Sequence, residues 1–344
     1  MEEIIEPDLP IIDPHHHLWD FRPVMHLRPK TGGSFDELFQ GIPHYLFHDL
    51  LADTTGGHNV RTTVFLECHA MYRADGPEHL RCVGETEFVN GVAAMSASGI
   101  YGPFRACAGI VGSADLRLGD KVQDVLEAQV TAGNGRFRGI RQGAAWDADS
   151  SVLGAIARIG EGLFRDSAFR EGFARLAPLG MSFDAWLLQP QLPDLVDLAR
   201  AFPDTQIVLD HVGAPLGVGV YKGRREEMYP AWRASIRELA QCGNVSVKLG
   251  GLAMPLAGFA SYKSTPPASS EQLAREWKPY IETCIEAFGP ARAMFESNFP
   301  VDSGSCTYTI LWNALKRLAA GCSHDEKAAL FSGTAAKIYR IAMN

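Results

Sequence analysis

Eight short β-rich runs, most of them separated by segments of helical spacing, constrain this chain more than any other feature. The runs are Ile11–Asp13, Thr62–Glu67, Phe104–Val111, Phe137–Arg141, Met181–Leu187, Gln206–Asp210, Asn244–Lys248 and Ala293–Glu296. Helical periodicity falls around Glu85–Met95, Asp120–Val130, Ser167–Leu176, Leu192–Ala201, Arg225–Ala240 and Glu271–Phe288. Thr307–Leu318 and Asp325–Ile341 supply closing helices, the second with Ser323 and Glu326 spaced as a capping box. Strands that alternate with helices pair in parallel through right-handed crossovers, and eight such units close into a barrel. The expectation is an α/β fold, a (β/α)8 TIM barrel in one domain over residues 1–344, a length sufficient for the large core it needs.

Two places break the repeat. Residues 21–60 form a Gly-, Pro-, His- and aromatic-rich stretch too long for an ordinary strand-to-helix loop, and it is expected to fold over the barrel mouth as a lid-like insertion after strand 1. Residues 252–270 form a second long loop, with Met254, Pro255, Tyr262, Pro266 and Pro267. Active sites of such barrels lie where the strands end and these loops begin.

A net charge of -8 and a pI near 5.8 argue against a nucleic-acid or anionic-membrane surface, and no predicted helix carries a Lys/Arg cluster. A small-molecule substrate is the expected partner, and a homo-oligomer is left open. The seven cysteines are scattered, odd in number and without a C-x-x-C pair, which fits free thiols in a reducing compartment and not a zinc-cysteine site. With no basic and apolar leader at Met1-Glu2-Glu3, and no run near the ~18 to 20 apolar residues of a membrane span, a cytoplasmic location is expected.

The first run leads into Asp13-Pro14-His15-His16-His17. If the strand continues to His17, then His15 and His17 project to one face with Asp13, while His16 points opposite. Two imidazoles at i and i+2 are a ready pair of metal ligands or proton-transfer groups. A purification tag would be longer and would not continue a strand pattern. The other strand ends carry Glu67-Cys68-His69, Arg141-Gln142, Trp186 with Gln189, Asp210-His211, Lys248, and Glu296 through Asp302. Ionisable groups converging at one end of a barrel suggest a polar pocket. Cys68 is a poor nucleophile candidate, because i and i+1 on a strand face opposite ways; Glu67 and His69 share a face.

The ordered set Ile12-Asp13-Pro14-His15-His16-His17-Leu18-Trp19-Asp20, Gly139-Ile140-Arg141, Leu209-Asp210-His211-Val212-Gly213, Val247-Lys248-Leu249 and Met294 through Asp302 resembles the amidohydrolase superfamily. The branch it is similar to contains lactonases of 2-pyrone-4,6-dicarboxylate, L-fuconolactone and sulfomuconolactone. The resemblance implies that His15 and His17 face the pocket, either as ligands of a divalent cation (Zn or Mn) or as substrate-polarising groups in a metal-independent mechanism. His211 would be a third ligand or a hydrogen-bonding group on the attacked carbonyl. Many relatives read Gly-Ser-Asp-Trp-Pro where this chain has Glu296-Ser297-Asn298-Phe299-Pro300. Asn298 cannot accept a proton at neutral pH, although its carbonyl can ligate a metal or orient a water. Asp302 is then the first candidate for the base, with Glu67 and Glu296 behind it.

Arg141 and Lys248 are candidates to hold a substrate carboxylate, or else they form ion pairs at the mouth. Trp19, Trp186, Tyr72 and the loop aromatics favour a flat or ring-shaped ligand, with His69 and Gln189 as further contacts. The leading expectation is a hydrolase that opens a lactone or related cyclic ester of a small carboxylated molecule by attack of an activated water. The alternatives are a metal-dependent decarboxylase of an aromatic or muconate-type acid, and a ligand-binding barrel that has lost hydrolysis, with Asn298 as the trace of that loss.

Overall fold

The computed structural model of the chain describes residues 2–27, 34–156 and 159–342. Its main sheet consists of β1 (Ile11–His16), β2 (Val60–Leu66), β3 (Arg105–Gly112), β4 (Phe137–Arg141), β5 (Ser182–Ala185), β6 (Ile207–Leu209), β7 (Val245–Leu249) and β8 (Ala293–Phe295). Each strand pairs in parallel with the next. The last seam is drawn shut just beyond β8, where Asn298 N donates to His15 O at 2.9 Å and His17 N donates to Phe299 O at 2.8 Å. The eight expected strands therefore close into the expected barrel, and the closing stitch lies in the two segments richest in candidate residues.

The period of two along each strand decides what the barrel encloses. Ile207, Leu209, Val245, Val247, Ala293 and Phe295 pack outward in the main core. Ile12, Val64, Leu66, Val111, Val208 and Met294 pack together with Ala335 and Tyr339 as a separate cluster that fills the barrel interior. Two residues beyond Val208 and Met294 on the same strand face come Asp210 and Glu296, both fully buried. The interior is thus apolar low in the barrel and charged at its top.

Helices surround the sheet and begin at polar caps: Asp166 accepts from Phe169 N, Ser269 from Gln272 N and Thr307 from Ile310 N. The expected capping box of Ser323 and Glu326 is formed. The expected helix over Asp325–Ile341 is broken into His324–Ala328, a π turn Ala329–Gly333 and Thr334–Ile338, after which Tyr339 plugs the barrel floor.

The expected insertion lies between β1 and β2. It holds an antiparallel ribbon of Trp19–Asp20 with His44–Tyr45, and helices Ser34–Gly41 and Phe47–Thr54; positions 28–33 of it lie outside the described residues. Among the described residues no helix is long and apolar enough to cross a membrane.

Candidate active site

His15 and His17 share a direction as expected, but Asp13, expected on their face, is turned instead to Tyr308, whose hydroxyl donates to its Oδ2 at 3.0 Å, because the strand register is broken between Asp13 and His16. His16 turns away to Thr63 Oγ1 at 2.9 Å, whereas His15 and His17 bring their Nε2 atoms 3.3 Å apart. Each ring is fixed from behind. His17 Nδ1 donates to Leu66 O at 2.9 Å, and His15 Nδ1 stands 2.7 Å from Glu296 Oε2, so both protons sit on Nδ1 and both Nε2 lone pairs face the same space. Burial, with the nearby charges of Lys248 on His15 and Arg141 on both, holds the two rings well below the usual imidazole range, and they are neutral at pH 7.

Glu296 also holds His211, accepting from its Nδ1 at 2.7 Å and its backbone N at 3.2 Å through Oε1. Room for this pair comes from Gly250 and Gly251. A Cβ on Gly250 would stand 2.4 Å from Glu296 Cγ, and one on Gly251, where φ is +67°, would stand 2.4 Å from His211 Cγ.

Two cations bind this layer together. Lys248 Nζ donates to Asp184 Oδ1 at 2.7 Å, and it lies 3.0 Å from Asp210 Oδ1 and 3.3 Å from His15 Nδ1. Arg141 Nε donates to Glu67 Oε1 at 2.8 Å and its Nη2 to Glu67 O, while Nη1 lies 3.5 Å from Asp210 Oδ2 and 3.3 Å from His15 Nε2. Burial raises Asp184, but at Asp210 the charges of Lys248 and Arg141 outweigh burial and hold the carboxyl below its ordinary value.

Above this layer opens a cavity of about 340 Å3, the size of a small-molecule site. Its floor includes His17, Glu67, Arg141, His211 and Asn298, and His69 stands on its wall. The rest of the wall combines aromatic rings with aliphatic and polar side chains, Asp115 and Arg117 among them. Trp19 and Trp186 join Phe21, Phe35 and Phe39, of which the last three come from the insertion. Trp186 meets the His211 ring edge-on at 5.3 Å, and Trp19 is anchored by its Nε1 donating to Ile42 O.

Several expected residues stand elsewhere. Asp302 does not line the cavity; the turn Val301–Gly304 carries it behind Asn298, whose Nδ2 donates to Asp302 Oδ1 at 2.8 Å. That bond turns the Asn298 Oδ1 away from Asp302. Asn298 itself has a φ of +53°, a left-handed conformation that Asn and Asp tolerate better than most residues. Lys248 is wholly buried beneath the cavity, out of reach of a substrate carboxylate. Gln189 donates to Met228 O, and Tyr72 is bonded to His69 Nδ1 outside the cavity wall. Sequence reasoning did not single out Asp184 as a site residue, although the alternation from Ser182 places it inside the barrel. Phe35 and Phe39 carry no sequence signal beyond their place in the long insertion.

Whether these donors suit a divalent cation can be judged from the donors themselves. Two neutral imidazole nitrogens 3.3 Å apart, with both lone pairs on one space, match the roughly 3.3 Å ligand spacing of a tetrahedral ion bound at ~2.0 to 2.1 Å. Charge agrees: Glu67, Asp184, Asp210 and Glu296 exceed Arg141 and Lys248 by two negative charges. His15, Asp210 and His211 also bring ligand atoms within 4.8 Å of one another. Lys248 takes Asp210, so the Nε2 atoms of His15 and His17 are the better-placed pair, with Arg141 Nη1 also 3.3 Å from His15 Nε2.

Comparison with known proteins agrees with the fold. The model of the family described as Amidohydrolase matches residues 12–341. The protein named y4mH of Sinorhizobium fredii is 35% identical over 342 residues, covering 97% of this chain and 99% of that protein. L-fucono-1,5-lactonase of Burkholderia multivorans is 27% identical, with 96% of each chain covered. A crystal structure of an amidohydrolase from Burkholderia multivorans with bound zinc superposes with a TM-score of 0.70 at 25% identity, covering 96% of this chain and 99% of that one.

Proposed function

The chain belongs to the amidohydrolase family, and from that premise we propose that it is a lactonase, opening a lactone or related cyclic ester of a small carboxylated molecule with water. The observation that carries this reading is the Glu296–His211 pair at the floor of a cavity that also holds Arg141. Glu296 keeps the His211 proton on Nδ1, so Nε2 takes a proton from water as the water oxygen bonds to the ring carbonyl carbon. Arg141, fixed by Glu67, stabilises the charge that develops on the carbonyl oxygen. Asn298 Oδ1 orients the water as an acceptor, because its Nδ2 is committed to Asp302. When the ring C–O bond breaks, His211 returns its proton to the departing ring oxygen, giving a hydroxy acid. The aromatic rings of the wall suit a ring-shaped body, and the lactonase of Burkholderia multivorans supports the reaction class. A divalent cation, where bound, would be held by His15 and His17 and would supply carbonyl polarisation and a more acidic water.

The test is metal content by mass spectrometry together with turnover of a panel of carboxylated lactones, with and without chelator, and carbon dioxide followed in parallel on aromatic and muconate-type acids. Lactone opening supports the reading. About one ion per chain, lost together with activity, makes the reaction metal-assisted, whereas turnover without an ion leaves the chemistry to the chain's own residues. Carbon dioxide release without lactone opening replaces the reading with a decarboxylase, and binding without turnover overturns both.

A further inference from the structure

The end of the barrel opposite the mouth holds a second cavity, of about 690 Å3, with Arg61, Arg105, Arg136, Arg138 and Arg340 in its wall. Strand order explains the convergence. β2, β3 and β4 are neighbours, and these arginines stand at or beside their first residues, while Arg340 arrives from the C-terminal segment beneath. Among the described residues no Asp or Glu lines the cavity.

The side-chain hydrogen bonds of Arg105, Arg136, Arg138 and Arg340 are to neutral acceptors. Arg105 Nη1 donates to Gly102 O and Phe104 O at 2.9 Å each, and Arg136 Nη1 to Asn90 Oδ1 at 2.8 Å. Arg138 donates to Gly135 O at 2.7 Å, to Phe137 O at 3.0 Å and, through Nε, to Tyr339 O at the barrel floor. Arg340 Nη1 donates to Gly180 O at 2.7 Å. Carbonyls orient guanidinium groups without cancelling their charge, and each fork keeps donors in reserve. Half-buried Arg138 has its pKa lowered by burial and by the repulsion of Arg340 and Arg136, which shows that like charges crowd here. Among the described residues no carboxylate is paired with Arg105, Arg136, Arg138 or Arg340, and four such cations around one cavity stand out in a chain of net charge -8. Short side chains such as Ala93, Ala97 and Ala106 leave the space between the arginines open.

We propose that this cavity binds a small multiply charged anion, a molecule bearing two or more carboxylate or phosphate groups. Guanidinium forks match both groups bidentately. The site lies at the other end of the barrel from the lactonase chemistry and does not rest on that reading.

Isothermal titration calorimetry of the full chain with pyrophosphate and, separately, citrate tests this, with ionic strength held constant by sodium chloride. The expected result is saturable one-to-one binding of at least one probe, and the probe that binds tells phosphate from carboxylate. Affinity should fall at least about tenfold in an Arg136→Gln/Arg138→Gln variant. Because Arg138 also holds the barrel floor, Arg340→Glu, at an exposed position, is the second variant and should show the same loss. His211→Asn, altered at the mouth, should bind as the native chain does. Absence of saturable heat with both probes, unchanged affinity in Arg340→Glu, or loss in His211→Asn instead would overturn the proposal.

Discussion

Arg138 and Arg141 stand three residues apart on one strand, yet one faces carboxylates and the other only carbonyls. Arg141 at the mouth is held by Glu67 and lies 3.5 Å from Asp210, while Arg138 at the opposite end donates to Gly135, Phe137 and Tyr339 oxygens. The difference teaches what a partner does to a charge. A guanidinium paired with buried acids becomes part of a rigid field that fixes the protonation of its neighbours, and His15 and His17 stay neutral beside it. A guanidinium satisfied by carbonyls is held in place with its charge unspent and available to a ligand.

This contrast can be broken or sharpened by experiment. The largest effect is expected at the mouth, where His211→Asn should lower kcat on any lactone the chain opens by roughly 10²- to 10⁴-fold, with KM little changed. A loss smaller than about tenfold would mean that the Glu296–His211 pair is not the proton acceptor. Next comes Lys248→Met, which leaves Asp184 and Asp210 facing each other without their cation. Breaking such a buried pair costs about 3 to 5 kcal/mol, measurable by urea unfolding. An unchanged midpoint would show that the charged layer is not held by these ion pairs.

A smaller effect is expected from pH. Burial pushes the Asp302 carboxyl up to about 7, while the unfolded chain titrates near the ordinary ~3.9. Between these values the folded chain holds a proton that the unfolded chain has lost, so the contribution of Asp302 to stability falls as pH rises from about 4 to about 7. Stability of Asp302→Asn relative to the native chain should therefore rise across that window, by at most about 1.4 kcal/mol per pH unit, and then level off. A pH-independent difference would place the proton on another group. The smallest effect belongs to the arginine end: Arg136→Gln should change thermal stability by no more than about 0.5 kcal/mol, since it breaks no carboxylate pair. A loss several times larger would mark that cluster as structural, unlike a ligand site.

Much of the fold was legible because it depends on local periodicity. Alternating apolar runs announce strands, helical spacing between them announces crossovers, and Ser323 with Glu326 announces a helix start that the structure forms. The roles of the acids were less legible. Asp302 reads as the natural base because it follows the last strand, yet a short turn takes it behind Asn298. Lys248 reads as a substrate anchor, yet its strand position points it into the barrel, where Asp184 and Asp210 meet it. In both cases the residue type suggests the chemistry, but its reach is set by a turn or by the height of a residue in the barrel.

What the sequence determined by itself was the eight-strand alternation and the shared face of His15 and His17, because both follow from the period of two along a single strand. What only the tertiary structure decided was partnership. Glu296 reaches His15 across nearly the whole chain, and arginines scattered from Arg61 to Arg340 meet in one cavity. Closure of the barrel brings together residues that no local rule relates, since side-chain periodicity fixes direction along a strand and says nothing about which strand will stand opposite.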